Sequence, residues 1–243
     1  MKIAFVGSHM LSFPGGAEKS ILQVLRKFAK KNRVEAYSFD YDYPKRKDKK
    51  NNINFINFRQ ENTFPVSRFI EMRINRRYIL LKLDESSIKD SDLVLTQTLL
   101  APIVAKYCIA NKKKYNYYIR DELNLNIFKN YETGIRWVLK LVKDLIEFPA
   151  KIMYKKENLI ALKNANKIIV NSKYVQKTLK EKYGLKSTVE YPEINIKKQK
   201  LNRKKQNYIT FIGGENRMKG HDFVMKLTKK MPEYKFLIVG PYL

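Results

Sequence analysis

The sequence predicts an α/β fold, a Rossmann-like parallel sheet with helices on both faces, followed by the first βαβ of a second such domain. Three observations carry this. Short apolar runs alternate with stretches of helical period along the chain, the signature of βαβ units. Glycines stand on the steps from strand to helix, as in "FPGGAE" (Phe13–Glu18) and "FIGGEN" (Phe211–Asn216). A basic, apolar-poor stretch, Asn195–Gln206, interrupts the alternation, which then restarts.

The elements follow in order. Lys2–Val6 reads as a buried strand and Ala17–Lys31 as a helix with Ile21, Leu22, Val24, Leu25 and Phe28 on its inner face. Val34–Phe39 is a strand, followed by a polar, charged loop through Lys50, and Asn52–Phe58 a third strand. Ser67–Leu83 is one helix bearing Arg68, Arg73, Arg76 and Arg77. Asp92–Thr96 is a strand, Leu99–Asn111 a helix and Tyr115–Ile119 a strand. Trp137–Phe148 and Ile152–Lys163 are two helices separated at Pro149. Lys167–Val170 is a strand, Lys173–Tyr183 a helix stopped by Gly184, and Thr188–Tyr191 a strand. After the basic stretch come strand Tyr208–Ile212, helix Gly220–Lys230 and strand Lys235–Val239. The domain reading is 1–194, a linker 195–206, and 207–243. One βαβ unit of about 40 residues or fewer rarely stabilises itself, so the last segment is expected to dock, pair or continue.

The composition narrows the partners. The 243 residues, 44% of them hydrophobic, are enough for a substantial core, and the formal net charge of +27 favours anionic partners. The single cysteine, Cys108, precludes an internal disulfide and fits a reducing, cytoplasmic setting. "MKIAFVGSHM" is too soon interrupted by Gly7 to form a signal peptide. No apolar run reaches the ~18 residues of a transmembrane helix, so any membrane contact is expected to be peripheral, on anionic lipid at the inner membrane face, with Arg68, Arg73, Arg76 and Arg77 as its candidate residues. Nucleic acid is disfavoured as a partner, because no RRM, KH or OB signature accompanies the charge.

Three constellations could carry chemistry. Gly15 and Gly16, at the end of the first loop, would leave helix N-terminal N–H groups open to an anion; an ordinary glycine-containing loop is the equal alternative. It is neither a dinucleotide fingerprint nor a Walker sequence. In "YIRDE" (Tyr118–Glu122), Asp121 or Glu122 could accept a proton from a hydroxyl and Arg120 could hold a phosphate; a local ion pair is the plainer reading. In "FIGGENRMKG" (Phe211–Gly220), Gly213 and Gly214 precede Arg217 and Lys219, two cations placed for a diphosphate or standing on a solvated loop. His9 and His221 are far apart and do not suggest a metal site. Cys108 and Trp137 read as packing residues, and the basic runs Lys45–Lys50, Lys112–Lys114 and Lys197–Lys205 as solvated faces or linker.

These segments, in this order, resemble a known family. "KIAFVGSHMLSFPGGAEKSILQVLRKFAKKNRVEAYSF" looks like the start of a GT-B-type glycosyltransferase of family 4. "NANKIIVNSKYVQKTLKEKYG" is similar to the end of that family's first domain, and "VEYPEI" to its crossing into the second. "ITFIGGENRMKGHDFVMKL" is similar to the donor-phosphate loop, and "KFLIVGPY" to the following strand. The resemblance implies transfer of a sugar from a nucleoside-diphosphate sugar to a glycan or lipid-linked acceptor, in a cleft between two Rossmann-like domains and without a metal or other cofactor. It places Gly15 and Gly16 against donor phosphates and acceptor. It makes Gly213, Gly214, Arg217 and Lys219 the diphosphate site, while Arg120 and Asp121 remain the catalytic candidates on the reading of the residues themselves. Two positions depart: Gly214 stands where the family has Arg, and Arg120 where it often has His. The family's E-x7-E segment has no counterpart before Leu243. A truncated enzyme, one completed by a second polypeptide, or a non-catalytic subunit on the same scaffold are the corresponding expectations.

Overall fold

A computed structural model describes residues 1–7, 16–39, 47–48, 52–58, 68–119, 135–192, 207–213 and 219–240. The chain divides into two units by packing: Met1–Ile127 with Val142–Ile194, and Phe128–Leu141 with Asn195–Leu243.

The first unit holds β1 (Lys2–Gly7), α1 (Gly16–Ala29), β2 (Arg33–Ser38), β3 (Lys47–Asp48), β4 (Ile53–Asn57), α2 (Arg68–Ile74) and α3 (Arg76–Glu85). After a 3₁₀ turn, Ser87–Asp90, come β5 (Leu93–Gln97), a second 3₁₀ turn, Thr98–Leu100, α4 (Ala101–Ala110) and β6 (Tyr115–Ile119). Most of α5 (Ile135–Lys163), then β7 (Lys167–Val170), α6 (Lys173–Tyr183) and β8 (Thr188–Val189) complete it. The sheet order is β3-β4-β2-β1-β5-β6-β7-β8. Every neighbouring pair is parallel except β3 with β4. Among the seven parallel strands the order reverses between β1 and β5, the arrangement of a doubly wound nucleotide-binding sheet.

Strand period two sorts the core into two layers. Ile3 and Phe5 point to one face, where Val34, Ala36, Ile53 and Phe55 join Ile21, Val24 and Leu25 of α1. Ala4 and Val6 point to the other, with Val94, Tyr115, Tyr117 and Val170 packed under α3, α4 and α6. Both faces are therefore covered, and the strands are apolar throughout rather than alternating, as buried parallel strands are. α6 shows the local rules plainly. Ser172 caps it by accepting from the Val175 N–H at 3.3 Å. Gly184 ends it at φ +65°, with its own N–H on the Lys180 carbonyl and that of Leu185 on Leu179.

Three expectations change. The helix expected over Ser67–Leu83 is two, meeting at Asn75; the ladder persists there, since Asn75 N–H donates to Glu71 and Asn75 accepts from Ile79 N–H. α5 runs through Pro149 without a break. The reason lies on the helix side away from the proline: Lys151 Nζ holds Asp144 and Glu147, each at 2.7 Å, and so clamps the turns before and after it. Within the stretch expected as a charged loop, Lys47–Asp48 pairs antiparallel to Asn54–Ile53 as the sheet's edge; charge on an edge strand guards it against further pairing.

The second unit contains β9 (Tyr208–Ile212), α7 (His221–Lys230) and β10 (Lys235–Val239). β9 and β10 pair in parallel, Tyr208 opposite Lys235 through Ile212 opposite Val239. α7 has no fully buried residue. No helix among the described residues is long and apolar enough to cross a membrane.

Candidate functional site at the carboxyl ends of the strands

In an open parallel sheet, ligands gather outside the carboxyl ends of the strands where the order reverses. Here that point lies between Gly7, the last residue of β1, and Gln97, the last of β5. Thr96 Oγ1 donates to the Val6 carbonyl at 3.1 Å and ties the two strand ends together. Gly7 is dictated by space: a Cβ there would sit 2.7 Å from the Phe5 ring and 3.5 Å from Gln97 Nε2. Of the predicted residues around this edge, Gly16 is the first residue of α1. Gly15, Arg120 and Asp121 lie outside the described residues, Arg120 directly after buried Ile119 at the end of β6.

Beside the same edge, Arg73 and Arg76, two of the arginines expected to meet lipid, are instead paired within the protein, in a cluster whose pairing has no signal in the sequence. Glu157 of α5 accepts from Arg73 Nη1 at 3.0 Å and from Arg76 Nη1 at 2.8 Å, and its Oε2 is 3.0 Å from Arg73 Nη2. Burial works against the charge of Glu157, but the two guanidiniums outweigh it and hold its pKa below the usual carboxylate value. Two cations on one anion leave net positive charge there. Phe69, Met72, Leu99, Pro102 and Tyr154 complete the wall of a cavity of about 20 Å³. It is water-sized and holds no substrate by itself.

The larger cleft, about 340 Å³, opens at Lys167 and Thr188, the first residues of β7 and β8. That is the wrong end of the sheet for a ligand site of this fold. A second polar network also lies at the amino ends. Glu35 accepts from Tyr37 and Ser87 hydroxyls at 2.7 and 2.6 Å and pairs with Lys2 and Arg33. Burial would raise its pKa, yet these partners lower it below normal. The network is structural: it anchors β1, β2 and the turn after α3.

In the second unit, Gly213 follows β9 and its N–H donates to the Val239 carbonyl at 2.9 Å. A Cβ at Gly213 would meet Phe211 Cζ at 2.8 Å and the Lys219 Cβ at 3.3 Å. Gly213 and Lys219 are therefore neighbours, just ahead of α7. Lys219 is exposed, and the N-cap position of α7 is Gly220, at φ +86°, which has no side chain of its own to cap the helix. N–H groups at a helix N-terminus next to a lysine can receive a phosphate. Gly214 and Arg217 lie outside the described residues. Among the described residues, no cluster of His, Cys, Asp or Glu could hold a metal ion. Burial pushes the Cys108 thiol up to about 12, so it is a packing residue and no nucleophile.

No family model and no curated protein matches this sequence. Solved structures do. HepE from Anabaena, in complex with UDP and glucose, aligns with 100% of this chain at 16% identity and TM-score 0.59. UGT2 from Phytolacca americana, complexed with UDP-2fluoro-glucose and pterostilbene, aligns with 99% at 11% identity and 0.59. Sucrose-phosphate synthase from Thermosynechococcus elongatus aligns with 99% at 11% identity and 0.63. This chain spans 62, 66 and 70% of the length of those three. Likeness at this identity establishes the fold: α/β, Rossmann-like, of the kind found in GT-B glycosyltransferases.

Proposed function

We propose that this chain serves glycosyl transfer from a nucleoside-diphosphate sugar to a glycan or lipid-linked acceptor. The observation that carries the reading is the closeness of Gly213 and Lys219. The Lys219 Cβ lies 3.3 Å from where a Cβ at Gly213 would stand, just ahead of the N-terminus of α7. Structural neighbours of the fold hold UDP and a UDP-sugar, which supports a diphosphate as the ligand there. In the reaction, the bond from the anomeric carbon to the diphosphate oxygen breaks and negative charge grows on the leaving group. Lys219, the α7 N–H groups and, from the sequence, Gly214 and Arg217 would stabilise that charge where it develops.

The acceptor side belongs to the carboxyl edge of the first sheet, with Gly15 and Gly16 against the substrates. Asp121 is the group to take the acceptor hydroxyl's proton, and Arg120 the group to hold a phosphate. No metal or other cofactor is required in this scheme. The test is titration of the chain with a panel of nucleoside diphosphates and their sugars by calorimetry, followed by transfer assays. At least one nucleotide should bind, and Lys219→Ala should weaken it by about tenfold. Binding without transfer, even after addition of candidate complementing polypeptides, would assign a non-catalytic role on the same scaffold. If no nucleotide binds, the reading fails.

A further inference from the structure

The cleft of about 340 Å³ at the amino ends of β7 and β8 has its cause in the strand register. β7 pairs with β6 from Lys167 onward, but β8 joins β7 only at Ile169, opposite Thr188. Ahead of that pair the two chains part like a fork, with Lys167 on one arm and Lys186 on the other. Both arms are fixed from behind. The Asn166 N–H donates to the Tyr115 carbonyl at 2.8 Å, and Asn166 Nδ2 to Asn116 Oδ1 at 3.1 Å. On the other arm, the Ser187 carbonyl accepts from Gln176 Nε2 at 2.7 Å. A cleft held in this way is formed before any ligand arrives, which lowers the cost of binding one.

Its wall is cationic and unrelieved. Lys163, Lys167 and Lys186 line it, all exposed, and no Asp or Glu does. Elsewhere in this unit gathered cations meet an acid: Lys2 and Arg33 meet Glu35, Arg73 and Arg76 meet Glu157, and Lys151 meets Asp144 and Glu147. None of the three cleft lysines has an ion pair among the described residues. Lys163 stands in the last turn of α5, where a cation suits the helix carbonyls. Lys167 and Lys186 lie beyond the last turns of α5 and α6, outside the reach of that attraction. Like charges gathered on one cleft oppose folding unless an anion joins them. Ser187 adds a second sign: its Oγ is shut off from water and has no hydrogen-bond partner among the described residues, a bond still to be made. Leu162, Ile168 and Leu185 supply the apolar part of the lining.

We propose that this cleft is a second ligand site, for a small organic phosphate whose phosphoryl group lies among Lys163, Lys167 and Lys186 and whose carbon body covers Leu162, Ile168 and Leu185. The volume sets the size, since small-molecule pockets run from about 300 to 1,000 Å³; a sugar phosphate fits the lower end. The site lies at the opposite ends of the strands from the acceptor side of the glycosyl-transfer reading. It shares no residue with that reading and does not rest on it.

The test is titration of the full chain with glucose 6-phosphate, ribose 5-phosphate and glycerol 3-phosphate, followed by amide chemical shifts in heteronuclear NMR. Glucose and inorganic phosphate serve as controls. At least one organic phosphate should bind more tightly than inorganic phosphate and move the amides of Lys167, Ile168 and Ser187, while glucose should not bind. A Lys167→Gln, Lys186→Gln variant should weaken that binding by on the order of tenfold; both side chains are exposed, so the fold should hold. Lys89→Gln with Lys106→Gln removes the same charge from exposed positions outside the cleft, and should change the affinity by less than about twofold. Absence of binding overturns the proposal, as do shifts confined to other residues or inorganic phosphate binding as tightly. Equal losses in the two double variants also overturn it, since they would mean attraction to the net charge alone. Lys219→Ala should leave this binding unaltered, so the outcome here and that for the diphosphate turn are read separately.

Discussion

β1 and β9 share nearly the same local text, Phe5-Val6-Gly7 and Phe211-Ile212-Gly213: a glycine at the end of β1 and directly after β9, where an added Cβ would meet the phenylalanine two residues back. Their fates differ. β1 is hydrogen-bonded to β2 and β5 and is buried from Ile3 to Gly7. β9 is hydrogen-bonded to β10, and four of its five residues are exposed, Ile212 at 78%. Local sequence chose the strand and the glycine in both cases. Burial came from neighbours, and only β1 has a helix-packed layer on each face.

The comparison can be broken by equal substitutions on its two sides. Phe5→Ala should destabilise the first unit by about 3–5 kcal/mol, read from thermal or denaturant unfolding, since it empties a fully buried site. Phe211→Ala, at a half-buried ring, should have an effect of about 1 kcal/mol or less; equal losses would mean that β9 is as well packed as β1. Gly7→Ala forces a Cβ to 2.7 Å from a ring that has nowhere to move, at a cost of about 1–3 kcal/mol. Gly213→Ala should be milder, because the Phe211 ring can swing outward.

The two units should also differ in acid. Glu35 has a lowered pKa in the fold, so its contribution is present above the unfolded carboxylate value and is lost as pH falls through the lower folded one. Stability of the first unit should therefore drop below about pH 4, and Glu35→Gln should flatten that limb while lowering stability at neutral pH by about 1–3 kcal/mol. An unchanged acid limb would remove Glu35 from the explanation. The smallest difference should appear in hydrogen exchange, with amides of β9 and β10 exchanging ahead of those of β1 and β2.

Much of this fold was legible in the sequence because buried parallel strands are apolar on both faces and stand out as runs. Lys2–Val6, Tyr115–Ile119 and Lys167–Val170 are strands at or within one residue of their expected bounds. What escaped depends on distant partners. The Arg73–Glu157–Arg76 cluster joins residues 84 and 81 positions apart, and no local pattern marks it. Pro149 has the text of a helix break, but the clamp by Lys151 on Asp144 and Glu147 carries α5 past it. The aliphatics of Val142–Ile160 have the period of a core stripe, and only the buried carboxylates opposite them show which way they point. At the candidate site, the nearness of Gly213 and Lys219 could not be read from their spacing alone.

Pro149 also leaves its mark on the backbone of α5. Having no N–H, it leaves the Leu145 carbonyl without its donor from the next turn, and both residues lie on the exposed side of α5. On that side water can take the donor's place, so the proline stands where its missing N–H costs the helix least.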